Sequence, residues 1–153
     1  MKIVLIILAL LIVVNVVRIV VQNTRAPELG HENGILKPLS KKPNAVSTQA
    51  EDVEKRVAPW PFKDSLEATV SAIESAVSQY GGAELKTRDD NYLYYVFTTP
   101  TMHFHDDVEF YLNEEDRTVQ FRSASRAGYS DMGLNRKRYD ALKELYDQVA
   151  VEQ

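Results

Sequence analysis

Hydrophobic residues form one long uninterrupted run at the start of the chain. From Ile3 to Val21 every residue is apolar except Asn15 and Arg18. Nineteen helical residues at about 1.5 Å each extend roughly 28 Å, close to the thickness of the bilayer hydrocarbon. The run therefore predicts a transmembrane anchor over residues 1–22, which contacts the membrane through residues 3–21.

The length and the flanking residues of this run bear on whether the helix is cleaved off and on its orientation in the membrane. It is longer than the apolar region of most cleaved signal peptides, which favours a retained anchor, although residues 24–26 leave cleavage as the alternative. Lys2 lies at one end of the run, and Arg18 and Arg25 lie at the other. The numbers of positive charges at the two ends are therefore nearly equal, and the positive-inside rule favours neither orientation strongly. Because the N-terminal flank is short, we expect a single-pass membrane protein with its soluble domain on the non-cytoplasmic side.

The next forty residues show no sustained hydrophobic period. Five prolines and two glycines interrupt residues 23–62, which predicts an irregular juxtamembrane segment. Regular patterns begin only after this segment. We therefore expect a separate α+β domain over residues 63–153.

Two stretches carry apolar residues at the spacing of a buried helix face. The first begins at Asp64, an expected N-cap that forms a capping box with Glu67, and ends at Gly81 and Gly82. The second covers residues 134–149. The apolar stripes are Leu66, Val70, Ile73, Val77 and Tyr80 in the first, and Tyr139, Leu142, Leu145, Tyr146 and Val149 in the second.

Four stretches between the helices are rich in Tyr, Phe, Val and Thr, which are typical of strands. Residues 113–116 separate the last two and predict a tight hairpin turn with Glu114 and Glu115 at its tip. That register pairs Asp107 with Arg122 and places apolar residues opposite each other, Phe110 facing Val119 and Val108 facing Phe121. The predicted strands are residues 83–88, 92–99, 103–112 and 118–125.

The element order defines the expected fold. A four-stranded antiparallel meander lies between two helices, in the order α-β-β-β-β-α. Both helices need an apolar surface, and one face of the sheet supplies it. The chain is thus predicted to be an α+β protein with both helices on one sheet face, preceded by the separate transmembrane helix.

Charge is distributed unevenly along the chain, whose formal net charge is −4. The first 50 residues contain six Lys and Arg against two acidic residues, and the rest contain twelve against twenty. An acidic globular part argues against a nucleic-acid partner. The basic segment after the anchor fits either contact with anionic lipid or a solvated linker.

The absence of cysteine excludes disulfides, thiolate metal sites and a cysteine nucleophile.

Polar residues are densest where the last predicted strand leads into the last helix. Arginine forks, loop amides and a helix start together could bind phosphate or carboxylate. The alternative is a structural network in which Arg122 pairs with Asp107 and Asp131 caps the helix. The candidate anion-binding residues are Arg122, Arg126, Tyr129, Asn135, Arg136 and Arg138.

A second candidate site lies along the third predicted strand. His103, His105, Asp107 and Glu109 alternate, and a period of two would place all of them on one sheet face. His103, His105 and Asp107 could then hold a divalent metal with an open position for water. The alternative is a solvated polar face, and no cofactor is predicted beyond this candidate metal.

The second predicted strand carries aromatic residues on both faces. Tyr92, Tyr94 and Val96 would share the outer face with the histidines, while Leu93, Tyr95 and Phe97 would face the helices. The outer face is either a binding surface or the seat of residues 35–62, including Trp60 and Phe62. We favour the second, because that segment must bury its aromatic residues.

From Gly34 onward the chain resembles the family catalogued as domain of unknown function 1499. The resemblance implies an exported or membrane-associated protein and supplies no activity. It is carried by Asp106-Asp107-Val108-Glu109-Phe110, Arg122-Ser123-Ala124-Ser125-Arg126, Gly128-Tyr129-Ser130-Asp131, Gly133 and Asn135-Arg136-Lys137-Arg138, with a weaker match at Gly34-Ile35-Leu36-Lys37-Pro38 and Pro43-Asn44-Ala45-Val46-Ser47-Thr48.

Three functions follow as hypotheses. The leading one is a non-catalytic, membrane-anchored binding or assembly module at the cell envelope, with Arg126 and Arg136 contacting an anionic lipid or an acidic partner. The second is a metal-assisted hydrolase that uses the histidine strand. The third is a structural subunit of a membrane complex, with the outer sheet face or an edge strand as its contact with a membrane protein partner.

Overall fold

A computed structural model describes residues 1–149 of the 153-residue chain. Its elements follow the predicted order, with additional short strands before the second helix. In chain order they are α1 (Lys2–Thr24), β1 (His31–Glu32), β2 (Ile35–Leu36), β3 (Ala45–Ser47), β4 (Trp60–Pro61), α2 (Leu66–Tyr80), β5 (Ala83–Arg88), β6 (Tyr92–Thr98), β7 (His105–Asn113), β8 (Thr118–Ser125) and α3 (Leu134–Gln148).

The N-terminal helix α1 has 23 residues and a mean hydropathy of 3.2 over its most apolar window. None of its residues is buried. It is therefore long and apolar enough to cross a membrane, which is consistent with a single-pass anchor. Only Gln22 and Asn23, in its last turn, are partly shielded by the rest of the chain.

The main sheet has six strands rather than the four predicted. The meander β5–β8 is antiparallel as expected, in the spatial order β3-β8-β7-β6-β5, and β4 pairs with the start of β8. Strands β3 and β4 come from the segment that the sequence predicted to be irregular. They have three and two residues, too few to show the alternation by which a strand is recognised.

The β7–β8 hairpin is the place where the predicted register is wrong. Arg122 faces Glu109 rather than Asp107, and Phe110 faces Phe121. The register differs from the prediction by two residues, and an even shift leaves every side chain on its predicted face.

A longer turn explains the shift. The loop has four residues, 114–117, rather than two. The side-chain oxygen of Asn113 accepts hydrogen bonds from the backbone N–H groups of Glu115 and Asp116, at 3.1 and 3.3 Å. Arg117 then closes the loop in the left-handed region, at a φ of 51°. The sequence contains no Gly at this position to announce such a conformation.

The core lies between one sheet face and the two helices, as predicted. Leu93, Tyr95 and Phe97 of β6 face α2 and α3 together with Val108 and Phe110 of β7. The apolar stripes of both helices meet this face. The α+β class with both helices on one side of the sheet is therefore confirmed.

Trp60 is fully buried on the helix side of the sheet. Its ring lies 5.0–6.0 Å, between centroids, from four other aromatic rings: Phe110, Phe121, Tyr139 and Tyr146. The expectation that Trp60 would cover the outer sheet face is therefore wrong. The outer face is instead covered by the β1–β2 segment, where His31 packs against Tyr92 and Tyr111.

The two domain helices begin and end in different ways. Ser65, rather than the expected Asp64, is the N-cap of α2, and its hydroxyl accepts a hydrogen bond from the Ala68 N–H at 3.1 Å. Gly81 ends that helix at a φ of 78°, as predicted. The N-cap of α3 is Gly133 rather than the expected Asp131, although the Asp131 carboxylate accepts from the backbone N–H of Asn135 in the first turn, at 2.8 Å.

Replacing Trp60 tests whether the segment before α2 is part of the core. We expect Trp60→Ala to lower the free energy of unfolding by about 3–5 kcal/mol, because it empties the centre of the aromatic cluster. Urea unfolding of the detergent-solubilised chain, followed by circular dichroism, measures the change. The control Val53→Ala alters an exposed side chain and should change stability by less than about 0.5 kcal/mol. Equal effects of the two substitutions would contradict the assignment.

Candidate functional site

Strand β7 carries three acidic residues in the middle of the sheet. Asp106, Asp107 and Glu109 have exposed fractions of only 1%, 2% and 0%. Because successive side chains of a strand point to opposite faces, Asp106 lies on the helix side and the other two on the outer side. A buried carboxylate needs a cation or several hydrogen-bond donors. Each of the three has an arginine as its partner.

On the helix side, Asp106 is paired with Arg138 of α3. Nη2 of Arg138 donates to the Asp106 carboxylate at 2.6 Å, and both side chains are almost fully buried. Nη1 donates to the amide oxygen of Asn135 at 2.9 Å. The guanidinium also lies 4.9 Å above the ring of Phe97. This pair joins α3 to the central strand.

Asn135 extends the same buried network toward β3 and β8. Its amide oxygen accepts a short hydrogen bond from the Ser123 hydroxyl, and its amide nitrogen donates to the Asn44 carbonyl at 3.0 Å. The same nitrogen donates to the Ser125 hydroxyl and to the Asp131 carboxylate, at 2.9 and 2.7 Å. Every hydrogen-bonding position of this side chain therefore has a partner within the protein.

On the outer side, Glu109 is paired with Arg122 of β8. Nη1 of Arg122 donates to the Glu109 carboxylate at 2.9 Å, while its Nε donates to the Lys37 carbonyl at 3.0 Å. The other carboxylate oxygen accepts from the Tyr92 hydroxyl at 2.7 Å and from the Gly30 N–H at 3.1 Å. This pair holds the β1–β2 segment against the sheet.

The third pair joins Asp107 to Arg126, in the loop after β8. The guanidinium donates to both carboxylate oxygens at 2.7–3.0 Å. The Tyr94 hydroxyl donates to the same carboxylate and accepts from Arg126 at 3.1 Å. Burial, followed by the hydrogen bond to Asp107, raises the pKa of Tyr94 to about 12. The phenol therefore stays protonated at neutral pH and keeps its role as donor.

These pairs divide the six candidate anion-binding residues between both faces of the sheet. Arg138 and Asn135 lie in the helix-side network, and Arg122 is used by Glu109. Arg136 donates to the backbone carbonyls of Glu54 and Arg56. Tyr129 is 74% exposed in the loop before α3. The six residues therefore surround no single common space: Tyr129 and Arg136 line one open groove, and Arg126 lines another.

The candidate metal ligands are separated by the start of β7. His103 precedes the strand, at a φ of 52°, so it does not alternate with the others as expected. His105 Nδ1 lies 3.0 Å from the Thr98 hydroxyl, and Asp107 is held by Arg126 and Tyr94. Within residues 1–149, no group of three or more His, Asp or Glu is arranged to hold a metal ion.

The end of α1 is attached to the sheet at the start of β7. The Asn23 amide donates to the His103 carbonyl at 2.9 Å and accepts from the His105 N–H at 2.8 Å. Two hydrogen bonds from one side chain fix both distance and direction. The end of the sheet at which β7 begins is thereby held directly beside the end of the apolar helix.

An open groove of about 660 Å³ lies between the end of α1 and the domain. Arg25 contributes a cation that makes no ion pair within residues 1–149, and Glu28 contributes one carboxylate. Lys42 borders the groove while its Nζ donates to the Gly128 carbonyl at 3.1 Å. The lining residues are Gln22, Arg25, Ala26, Pro27, Glu28, Lys42 and Arg126. Three basic side chains therefore converge beside the membrane helix.

Sequence reasoning identified only Arg126 among these residues. The basic excess of the first 50 residues was the available signal for Arg25 and Lys42, and it pointed to contact with lipid. What brings these cations to Arg126 is the pairing of β3 with β8 and the Asn23 contact. Neither could be recognised from the sequence.

Comparison with known proteins supports the family resemblance found in the sequence and adds little about function. The family model described as protein of unknown function (DUF1499) matches residues 35–145, a range that includes every strand of the main sheet, all of α2 and most of α3. No curated protein and no solved structure matches the chain. Because the model covers most of the sequence, the chain belongs to the DUF1499 family of proteins of unknown function.

Proposed function

We propose that this protein is a non-catalytic binding module that is anchored in a membrane and takes a phosphate-bearing anionic group at the membrane surface. The observation that carries the proposal is the groove in which Arg25, Lys42 and Arg126 converge beside the end of α1. A lipid head group is the anion found at that depth, next to a spanning helix.

The charges of the groove favour an anion. Asp107 is neutralised by Arg126, so Glu28 is the one lining carboxylate opposed to the cations of Arg25 and Lys42. Arg126 lines the groove and uses its Nε and Nη2 for Asp107 and Tyr94, while its Nη1 makes no hydrogen bond within residues 1–149. Guanidinium and ammonium groups are the side chains that most often bind phosphate.

A binding role also fits the use of the other charged residues. The buried arginines and carboxylates of β7, β8 and α3 neutralise each other in pairs, and each pair holds one layer of the fold. Such pairs serve structure. In the groove beside α1, by contrast, Arg25 and Lys42 are not paired with a buried carboxylate.

We propose that the domain lies on the non-cytoplasmic side, in the cell envelope. Labelling of Glu115→Cys tests it, because the chain has no other cysteine and residue 115 is exposed. In sealed vesicles of known orientation, a membrane-impermeant maleimide should react only from the non-cytoplasmic side. Reaction only from the cytoplasmic side would overturn this orientation.

The anion site is tested by thermal unfolding of the full chain in detergent micelles. We expect phosphatidylglycerol to raise the unfolding midpoint relative to phosphatidylcholine. A ligand at about 100 times its dissociation constant adds roughly 2.7 kcal/mol, or several degrees for a domain of this size. The double variant Arg25→Gln, Lys42→Gln should lose most of this rise, since both cations leave the groove.

A charge-matched control separates the groove from general attraction to anionic lipid. Lys86→Gln with Lys143→Gln removes the same charge from surface ion pairs elsewhere, and it should keep the full rise. A rise with inorganic phosphate that also depends on the groove would identify a soluble phosphate compound as the ligand. Equal loss in both double variants, or no rise with either anion, would overturn the proposal.

A further inference from the structure

The loops at one end of the sheet expose large apolar side chains to an unusual degree. Outside α1, six large hydrophobic residues are exposed within residues 25–149. Three of them lie in two loops, residues 99–104 and 126–133. Met102, Tyr129 and Met132 are 66%, 74% and 90% exposed. Single exposed apolar residues are ordinary, but this concentration in two neighbouring loops is not.

Both loops are at the end of the sheet from which α1 emerges. Residues 99–104 join β6 to β7, and residues 126–133 follow β8. The register places Thr98 beside His105 and Asp106 beside Ser125, so these strand ends are adjacent. Since Asn23 is bonded to His103 and His105, the loops lie close to the point where the apolar helix leaves the domain.

The backbone at Met132 shows that the exposure is built into the loop. Met132 has a φ of 55°, a conformation that favours Gly or Asn over a long side chain. The loop is nevertheless fixed there. The Met132 N–H donates to the Ser130 hydroxyl at 3.1 Å, and the Gly133 N–H donates to the Asp131 carboxylate at 3.0 Å. No contact with the core accounts for a methionine at this position, so we look for its partner outside the protein.

We propose that Met102, Tyr129 and Met132 dock into the surface of the lipid bilayer and give the domain a second attachment besides α1. The occupant follows from position, because Asn23 at the end of α1 is bonded to His103, next to Met102, and to His105, whose carbonyl accepts from the Arg126 N–H at the start of the second loop. Their chemistry agrees: Tyr is enriched at membrane–water interfaces, and flexible apolar side chains enter the boundary between head groups and acyl chains.

The surrounding charges complete this surface. Lys41 and Lys42 precede β3, whose first residue pairs with Ala124 at the same end of the sheet. Lys41 lines an open groove with Tyr129 and Met132, and this groove also contains Lys55 and Arg136 together with Asp52, Glu54 and Asp131. Its cations can contact lipid phosphates while the apolar groups lie deeper. The inference rests on the membrane anchor of the proposed function, but it does not depend on the anion groove.

The test measures how deep each loop lies in a bilayer. Met102→Cys and Met132→Cys each provide one labelling position in a chain without cysteine, and both replaced side chains are exposed. Glu115→Cys is the matched control, because the nine residues of β7 separate its loop from the docking end by roughly 26 Å. Each full-length variant receives an environment-sensitive fluorophore and is reconstituted into phosphatidylcholine vesicles.

Quenchers then report the surroundings of each label. We expect a quencher on the lipid acyl chains to act several-fold more strongly on the labels at residues 102 and 132 than at residue 115. Aqueous iodide should show the opposite order. Equal quenching of all three labels by iodide would overturn the proposal by showing that the loops lie in water. Protection of residues 102 and 132 from both quenchers would also overturn it, in favour of a protein contact.

The same vesicles keep this result separate from the anion site. They lack anionic lipid, so a failure of the groove proposal leaves the depth of the labels unchanged. Extraction at alkaline pH tests the anchor itself. A chain that leaves the vesicles on extraction would overturn both proposals, whereas a retained chain with labels in water would overturn only the docking of the loops.

Discussion

Three buried carboxylates on one central strand determine how the layers of this domain are held together. Asp106 attaches α3 through Arg138, Glu109 attaches the β1–β2 segment through Arg122, and Asp107 attaches the loop after β8 through Arg126. A buried carboxylate that loses its partner is strongly destabilising. Each arginine is therefore required by the fold, and the loops at the membrane side receive their positions from these pairs.

These ion pairs explain why the anion site predicted from the sequence contained too many arginines. Clustered arginines after a strand suggest an anion site, and the sequence alone cannot show that Arg122, Arg126 and Arg138 each have a buried acid as partner. The two-residue error at the β7–β8 turn assigned Arg122 to Asp107. Correct pairing depends on a left-handed Arg117 that has no sequence signature. Once the register is known, Arg122 and Arg138 are seen to be paired with buried acids, while Arg126 and Arg136 border separate grooves.

The parts of the fold that were predicted correctly depend on local patterns. Long continuous or periodic stretches identified the apolar helix α1, both domain helices and the four strands of the meander, because side-chain periodicity is fixed by backbone geometry. Strands β3 and β4 were missed because they are held by pairing with β8, which is a distant contact. The groove beside the end of α1 was missed for the same reason: Arg25, Lys42 and Arg126 are far apart in sequence and come together only through the topology.

A double-mutant cycle on Asp106 and Arg138 tests most directly whether the buried arginines stabilise the fold by pairing with the carboxylates. Urea unfolding of the full chain should show that Arg138→Met and Asp106→Leu each cost about 3–5 kcal/mol, while the double variant costs much less than their sum. The neighbouring Lys137→Met, at an exposed position, should change stability by less than about 0.5 kcal/mol. Additive losses, or an Arg138→Met as mild as the control, would contradict the account.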